Sequence, residues 1–374
     1  MPWTLLPGAE PPVVVPVHNL GAGGNTPPFW LPPPRGLGWR HAMFNAFFLG
    51  NGYQASMLGD VRAWVDSGAF LFLEAPQRRL AGLHGNGAGQ RPPRRLPRGW
   101  SEDLVEEVLR RQERFGADVA FTLDYPLPPG SQVDPGCCPG EVAERIRLTA
   151  RAAALAYQLR SRSGMRLLIV LQYNGAEALR RLLELLDREL REHAGTGLDG
   201  VDGYAVGGLV PHSAKWWLLA QRLQEARRLL GWGTWIHLLG VASPRNTALL
   251  YTAGADSMDS KTYIIAAAKR LYYQPSGARP ARISLRETSP AQKPPCRCPG
   301  CARHQTLQEM RANTQSIALH NLSIALEAAR EAREACRDGR LYELLKSQAK
   351  DNPRIRKALG YITEPRPCKG VRHV

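Results

Sequence analysis

Several absences in the sequence restrict what this protein can be. The 374-residue chain has no run of about 18 consecutive apolar residues, so we expect no transmembrane helix. Its N-terminus, MPWTLLPG, carries neither a basic segment nor a long apolar core, so we expect no secretory signal. A Walker-type phosphate-binding motif is also missing, so an ATP-driven step would have to come from elsewhere. These absences predict a cytoplasmic protein, in the host cytoplasm if a phage encodes it, that has no membrane partner.

Acidic residues are scarce relative to basic ones. The 33 Asp and Glu residues stand against 49 Lys and Arg, which gives a formal net charge of +16. This balance favours a polyanionic partner, nucleic acid first and an anionic membrane surface second. The alternative is a compositional bias toward Arg throughout the chain. Residues 77–99 concentrate Arg among Gly and Pro, and we expect there either a flexible arm that contacts phosphate or a disordered insertion.

Cysteine is sparse, and its seven residues are an odd number. A disulfide framework is therefore not expected in a long, cytosolic chain. Three of the cysteines form the motif Cys296-Arg-Cys298-Pro-Gly-Cys301, and three thiolates at this spacing suit tetrahedral zinc. The fourth ligand is either His304 or His320. Four protein ligands would close the coordination shell, so we expect a structural Zn²⁺ site.

Short apolar runs alternate with long amphipathic segments between residues 63 and 259. Such repetition is typical of a parallel sheet with helices on both faces. It predicts an α/β TIM (β/α)8 barrel, with a doubly wound open sheet as the alternative. We expect an irregular lead-in at residues 1–40, the barrel at 41–360 with an inserted zinc-binding subdomain at 296–320, and a loose basic tail at 361–374. The apolar runs are 63–66, 118–124, 166–172, 203–206, 234–240 and 255–259.

Most of these runs end in a polar residue or a glycine pair. In a barrel such ends meet at the C-terminal face, where active sites lie. A single Asp after a strand is also a common helix cap or turn residue, but its recurrence at several strand ends favours a shared site. The residues at these ends are Asp66, Asp124, Gln172, Gly207, Gly208 and Asp259.

Taken together, these motifs resemble the guanine transglycosylases of tRNA and DNA, which exchange guanine for a 7-deazaguanine base. That family has a TIM barrel with an inserted zinc site, and the similarity covers roughly residues 60–360. The resemblance selects His320 over His304 as the fourth zinc ligand. The motifs that carry it are Asp66-Ser-Gly-Ala-Phe70, Tyr204-Ala-Val-Gly-Gly-Leu209, Gly254-Ala-Asp-Ser-Met-Asp259, the three cysteines and His320-Asn-Leu322.

The resemblance also implies catalytic roles. Asp259 would be the nucleophile that attacks C1′ and holds the sugar covalently, and Asp66 would be the general acid and base. Composition alone does not separate Asp259 from Asp256 or Ser260 as a simple turn residue. The residues expected to contact the base are Asp124, Gln172, Gly207, Gly208 and Leu209, with Phe70 stacking on it unless it is ordinary core, and Ser67 adding a hydroxyl unless it only forms a turn.

Two departures from the bacterial tRNA enzymes bear on the substrate. Asp259 is followed by Ser260-Lys-Thr-Tyr263, which is closer to the archaeosine-type branch, yet the chain stops without the C-terminal RNA-binding domains of archaeal enzymes. This combination resembles the DNA-modifying branch known as DpdA and predicts base exchange in DNA. The same exchange on tRNA and a non-catalytic nucleic-acid-binding subunit are the alternatives. A homodimer, or partner proteins of a DNA-modification system, are further expectations.

The incoming base is expected to be neutral. Enzymes of the family that take an aminomethyl base have a Glu four residues after the loop leucine. Here that position is Ser213. This predicts 7-cyano-7-deazaguanine (preQ0) as the incoming base.

Overall fold

Eight parallel strands form the centre of the molecule in this computed structural model. Their order in the sheet is β1-β8-β7-β6-β5-β4-β3-β2. A parallel bridge between Val17 and Met43 brings β1 beside β2 and closes the ring, so the sheet is a TIM barrel rather than an open sheet. The strands are β1 (Val13–Pro16), β2 (His41–Asn45), β3 (Arg62–Asp66), β4 (Val119–Phe121), β5 (Arg166–Leu171), β6 (Tyr204–Val206), β7 (Ile236–Leu238) and β8 (Ser257–Ser260).

The structure describes residues 5–6, 9–18, 29–31, 39–49, 52–72, 101–162, 164–274, 281–289, 291–294 and 296–368. The basic segment expected at 77–99 lies outside these ranges. Within the ranges, no helix combines the length and the apolar character needed to cross a bilayer.

Helices cover the outside of the barrel. The first begins at Ser101, whose Oγ accepts a hydrogen bond from Leu104 N at 3.2 Å, and ends at Gly116, whose φ of 89° closes the last turn. The helices are α1 (Glu102–Phe115), α2 (Pro139–Leu159), α3 (Ala176–Ala194), α4 (Trp216–Leu230), α5 (Thr247–Ala253), α6 (Thr262–Ala268), α7 (Leu307–Ala312), α8 (Thr314–Arg337), α9 (Leu341–Lys350) and α10 (Pro353–Leu359).

An antiparallel hairpin of β9 (Leu271–Gln274) and β10 (Ala281–Ser284) follows α6 and leads to the cysteine motif. Helix α8 then returns to the barrel wall, where it contacts β1, α5 and α6. The metal-binding segment is therefore an insertion between two helices of the barrel.

The interior of the barrel is filled with side chains. Inward-facing residues in the strands, among them Val15, Met43, Trp64 and Phe121, pack into one buried cluster together with Trp235, which precedes β7. The barrel is thus a packed core, and chemistry is confined to the end where the strands finish.

The expected boundary at residue 40 is wrong for β1. Val13–Pro16 is a barrel strand: Val13 N donates to Asp256 O at 2.9 Å, and Val17 N donates to Ser260 O at 3.1 Å. Three consecutive valines are typical of a strand that is buried on both faces. Here Pro and Gly residues flank the valines, so the sequence did not indicate a strand.

The expected loose tail is also wrong for residues 361–368. The Arg366 guanidinium donates to Asp256 Oδ1 at 2.8 Å and to two backbone carbonyls, and Cys368 forms a disulfide with Cys336 of α8. Neither contact can be read from a basic composition, because each depends on a partner that is distant in sequence. The odd cysteine count likewise gave no sign of this single disulfide.

Candidate active site and metal centre

Asp259 lies in β8 near the C-terminal mouth of the barrel and is buried. Its Oδ1 accepts a hydrogen bond from Gly240 N at 2.7 Å and contacts His237 Nε2 at 3.0 Å. No described residue hydrogen-bonds to its Oδ2. One carboxylate oxygen is therefore fixed in place, and the other is available for a reaction.

The histidine beside Asp259 is oriented by a chain of side chains inside the barrel. Trp235 Nε1 donates to Ser257 Oγ at 2.8 Å, and Ser257 Oγ lies 2.8 Å from His237 Nδ1. An indole N–H can only donate, so the serine proton is free to point at His237 Nδ1. With Ser257 donating to Nδ1, His237 donates from Nε2 to Asp259 Oδ1, and these two contacts fix the orientation of the ring.

Asp66 ends β3 on the same face of the barrel. Its Oδ2 accepts a hydrogen bond from Asn45 Nδ2 at 3.2 Å. Burial, followed by the nearby charges of Asp124 and Asp259, raises the pKa of Asp66 to about 7. A carboxyl group with this pKa can both release and accept a proton near neutral pH.

Asp124 and Gln172 meet beside Asp66. Gln172 Nε2 donates to Asp124 Oδ2 at 2.6 Å, and Ser67 Oγ donates to Asp124 Oδ1 at 3.4 Å. Burial raises the pKa of Asp124 to about 6. The structure thus brings these three predicted residues, which come from the ends of three different strands, into one polar cluster.

The glycine pair after β6 lies against the Gln172 amide. A Cβ at Gly207 would lie 2.6 Å from Gln172 Nε2, and one at Gly208, where φ is 74°, would lie 2.6 Å from Gln172 Oε1. Only glycine allows this approach. The loop then continues to Leu209, which is buried.

Phe70 and two unpredicted residues complete the mouth. Phe70 is half-buried and packs against the core. His237, to which the sequence analysis assigns no role, contacts the expected nucleophile Asp259 directly. Lys261 is near enough to Asp66 and Asp259 for their charges to act on its pKa, which burial lowers. The sequence signal that could have identified Lys261 is the presence of a cationic residue two positions after Asp259.

The metal centre contains the four predicted ligands. The ligand atoms of Cys296, Cys298, Cys301 and His320 all lie within 4.8 Å of one another. The three sulfurs are 3.3 to 3.4 Å from His320 Nδ1, which is the spacing expected around one tetrahedral ion with Zn–S bonds of about 2.3 Å. This cluster could therefore hold a metal ion.

Contacts outside the cluster orient its histidine. His320 Nε2 lies 2.6 Å from Tyr273 O, so Nε2 carries the proton and Nδ1 faces the sulfurs. The Tyr272 ring stacks on His320 with centroids 3.7 Å apart. His304 bonds Ser316 Oγ instead, at 2.8 Å, and lies outside the cluster.

The fold and the site together define the class of protein. It is a TIM barrel with carboxylates at its mouth and a Cys₃His cluster in a segment inserted beside the barrel. A family model described as Queuine tRNA-ribosyltransferase matches residues 103–354. The chain belongs to the queuine tRNA-ribosyltransferase family.

Its relatives include three archaeal proteins, each named tRNA-guanine(15) transglycosylase. That of Methanococcus aeolicus is 27% identical over 268 residues, covering 68% of this chain and 38% of the relative. That of Methanocaldococcus jannaschii is 28% identical over 269 residues, covering 68% and 38%. That of Methanopyrus kandleri is 30% identical over 256 residues, covering 67% and 50%. The matched region thus spans half or less of these relatives' length.

Proposed function

We propose that the protein exchanges guanine in a nucleic acid for another base through a covalent intermediate on Asp259. The observation that carries this proposal is the arrangement of Asp259, with one oxygen held by Gly240 and His237, near an Asp66 carboxyl whose pKa is about 7. The pair provides a nucleophile and a proton donor at two strand ends of one barrel mouth.

The reaction balances with these two groups. Asp259 Oδ2 attacks C1′, the bond between C1′ and the guanine nitrogen breaks, and Asp66 gives its proton to the departing base. The incoming base then returns a proton to Asp66, its nitrogen attacks C1′, and the carboxylate of Asp259 leaves. Two displacements at one carbon retain its configuration.

Asp124 and Gln172 are proposed to read the base. A carboxylate accepts from the guanine N1–H and amino group, and an amide both donates and accepts. Backbone N–H groups near Gly208 and Leu209 are proposed to donate to the guanine carbonyl. Phe70 is proposed to stack on the ring, and Ser67 acts by holding Asp124. The target nucleotide must leave its stack to reach this pocket.

We propose tRNA as the polymer, because the relatives are named for guanine exchange in tRNA. The basic composition supports a nucleic-acid partner. Exchange in DNA, and a need for a second copy or for partner proteins, stay predictions from the sequence.

The test is incorporation of labelled guanine into tRNA transcripts, single-stranded DNA and duplex DNA, with Asp259→Asn as the inactive control. Label in tRNA supports the proposal, and label in DNA alone would replace tRNA by DNA. If the wild-type protein labels no polymer, the base-exchange proposal fails and a non-catalytic binding role takes its place.

We further propose that the incoming base is neutral, with 7-cyano-7-deazaguanine as the candidate. Ser213 follows the pocket loop, is exposed, and offers no carboxylate to a cationic aminomethyl group. Wild type should incorporate the nitrile base in preference to the aminomethyl base, and Ser213→Glu should shift the ratio toward the aminomethyl base. Equal or better use of the aminomethyl base by wild type would contradict this.

Zinc is the proposed ion of the Cys₃His cluster, where it would tie the segment after β10 to α8. One zinc per chain is expected by elemental analysis of the purified protein. Cys298→Ser should lose the zinc and lower the melting temperature. His304→Ala, which removes the neighbouring histidine, should keep both unchanged, and loss of zinc in that variant would contradict the assignment.

A further inference from the structure

We infer that Lys261 binds a phosphate group of the nucleic acid next to the nucleotide whose guanine is exchanged. The inference rests on the proposed function and adds a subsite for the sugar–phosphate backbone. Lys261 follows β8 and begins α6, two residues after Asp259, so it lies at the barrel mouth.

The Lys261 ammonium has no direct partner in the described part of the chain. Its side chain is partly exposed, and no hydrogen bond or ion pair within 4 Å joins it to a described residue. Asp259 is held instead by Gly240 and His237, and Asp66 by Asn45. The cation is thus near two carboxylates without being neutralised by contact with either.

His18, which follows β1, is close enough to Lys261 for the lysine charge to act on its pKa, but it adds no charge of its own at this position. Burial, followed by the charge of Lys261, lowers the pKa of His18 to about 4, so its ring is neutral near pH 7. His18 Nδ1 is buried and, among the described residues, has no hydrogen-bond partner. Unpaired buried polar atoms are rare and need an explanation, such as a missing water or ligand.

The strand order places Lys261 on the side of the nucleophile away from the base pocket. The residues proposed to read guanine follow β4, β5 and β6, whereas Lys261 and His18 follow β8 and β1, which are neighbours in the sheet. When Asp259 attacks C1′, the base projects from that carbon toward β4–β6. The rest of the sugar, which carries the flanking phosphates, then projects toward β8 and β1.

A phosphate is the chemistry that fits this position. A lysine ammonium is a compact point charge that binds phosphate oxygens without requiring a fixed fork geometry. Each neutralised phosphate also adds a defined increment to the salt dependence of binding. The polymer would therefore be held by charge on one side of C1′ and read by hydrogen bonds on the other.

The first test compares Lys261→Met and Lys261→Arg with Lys269→Met, which removes an exposed lysine at the end of the same helix. The Kd for a tRNA transcript is measured at several salt concentrations. Lys261→Met should raise the Kd about tenfold and flatten the slope of log Kd against log salt by roughly 0.7 to 0.9. Lys261→Arg and Lys269→Met should behave like wild type.

The second test uses wild-type protein and therefore does not depend on the folding of a variant. Synthetic stem-loops carry a neutral methylphosphonate in place of the phosphate on the 5′ or the 3′ side of the target guanosine. One of the two replacements should weaken wild-type binding about tenfold and should not weaken Lys261→Met binding further. If the methylphosphonate weakens the binding of Lys261→Met by the same factor as it weakens the binding of wild type, the inference is overturned.

Exchange of labelled guanine separates the two proposals. If wild type exchanges guanine and Lys261→Met changes only the pH dependence of the rate, with Kd and salt slope unchanged, Lys261 acts on the carboxylates and the phosphate site is wrong. If wild type exchanges guanine in no polymer, the proposed function fails by itself.

Discussion

Asp256 and Asp259 are three residues apart at the two ends of β8, and they differ in what surrounds them. Both are buried, with 6% and 4% of their surface exposed, so burial does not distinguish them. Asp256 forms ion pairs with Arg227 at 2.5 Å and Arg366 at 2.8 Å and accepts a hydrogen bond from Ile236 N at 2.7 Å. Asp259 has one histidine and one backbone N–H, both on the same oxygen.

The contacts of Asp256 are those of a carboxylate that stabilises the fold. The contacts of Asp259 leave one of its carboxylate oxygens available for a reaction. Two guanidinium groups and an amide saturate both oxygens of Asp256 and link the tail, α4 and β7 at the N-terminal end of the barrel. At the other end, no residue in the described ranges donates to Asp259 Oδ2, and the charge of Asp259 acts on the nearby carboxyl of Asp66. Composition alone does not choose between the two aspartates, and only the family resemblance singled out Asp259 as the expected nucleophile.

The largest expected effect comes from Asp259→Asn. The change keeps the shape and removes the nucleophilic oxygen, so guanine exchange should fall about 10⁴-fold while the melting temperature stays close to wild type. Labelled-guanine incorporation and a denaturing-gel assay for the covalent adduct measure this. A variant that still forms the adduct would remove Asp259 from the mechanism.

Asp256→Asn should lower stability and leave the exchange rate nearly unchanged, which is the opposite of the effect expected for Asp259→Asn. Removing one charge from a buried network leaves Arg227 and Arg366 without compensation, so the free energy of unfolding should fall by about 3–5 kcal/mol. The folded fraction should exchange guanine at close to the wild-type rate. Urea denaturation and activity below the unfolding transition measure the two properties. A lower exchange rate with an unchanged free energy of unfolding would contradict this prediction and would assign the role in the reaction to Asp256.

Asp66→Asn tests the proton donor. The exchange rate should fall by about 10²–10³-fold. In wild type, the rate should decline above pH 7, because the acid form of Asp66 is lost as pH rises through its pKa of about 7. The variant should lack that limb of the pH profile.

The same carboxyl group has a consequence for stability. Its folded pKa exceeds the ordinary value of 3.8, so its favourable contribution is present at low pH and is lost as pH rises through about 7. Stability of Asp66→Asn should therefore depend less on pH across that window. If Asp66→Asn leaves both the pH dependence of the rate and the pH dependence of stability unchanged, a group other than Asp66 titrates in this range.

The smallest expected effect is that of Ser257→Ala. Without the hydroxyl, His237 Nδ1 loses the partner that fixes its tautomer, so the exchange rate should fall about tenfold. Ser323→Ala, which removes a hydroxyl bonded to Leu319 O in α8, is the matched control. Equal rates for wild type and Ser257→Ala would mean that Asp259 needs no orienting histidine.

Much of the fold could be predicted from local patterns. The predicted run at 166–172 contains β5, and α3 (Ala176–Ala194) is one of the amphipathic segments that follow the apolar runs. These elements bury continuous apolar runs or one regular face, so their signal is local. Strand β1 was missed because prolines and glycines surround a run of only four residues.

The candidate site could be predicted only in part. Asp66, Asp124, Gln172 and Asp259 carry a signal because each lies at or after the end of an apolar run. His237 and Lys261 carry less, because a histidine inside a strand and a lysine at a helix start are ordinary in isolation. Their relevance comes from the neighbours that barrel closure provides.

The sequence by itself determined the alternation of strands and helices, the three candidate cysteine ligands and the acids at the strand ends, because each follows from residue type and short-range spacing. The tertiary structure alone decided which aspartate is compensated. Arg227 and Arg366 reach Asp256 from 29 and 110 residues away, and His237 reaches Asp259 from 22 residues away. Charge compensation depends on distance in space, and only the closed barrel sets those distances.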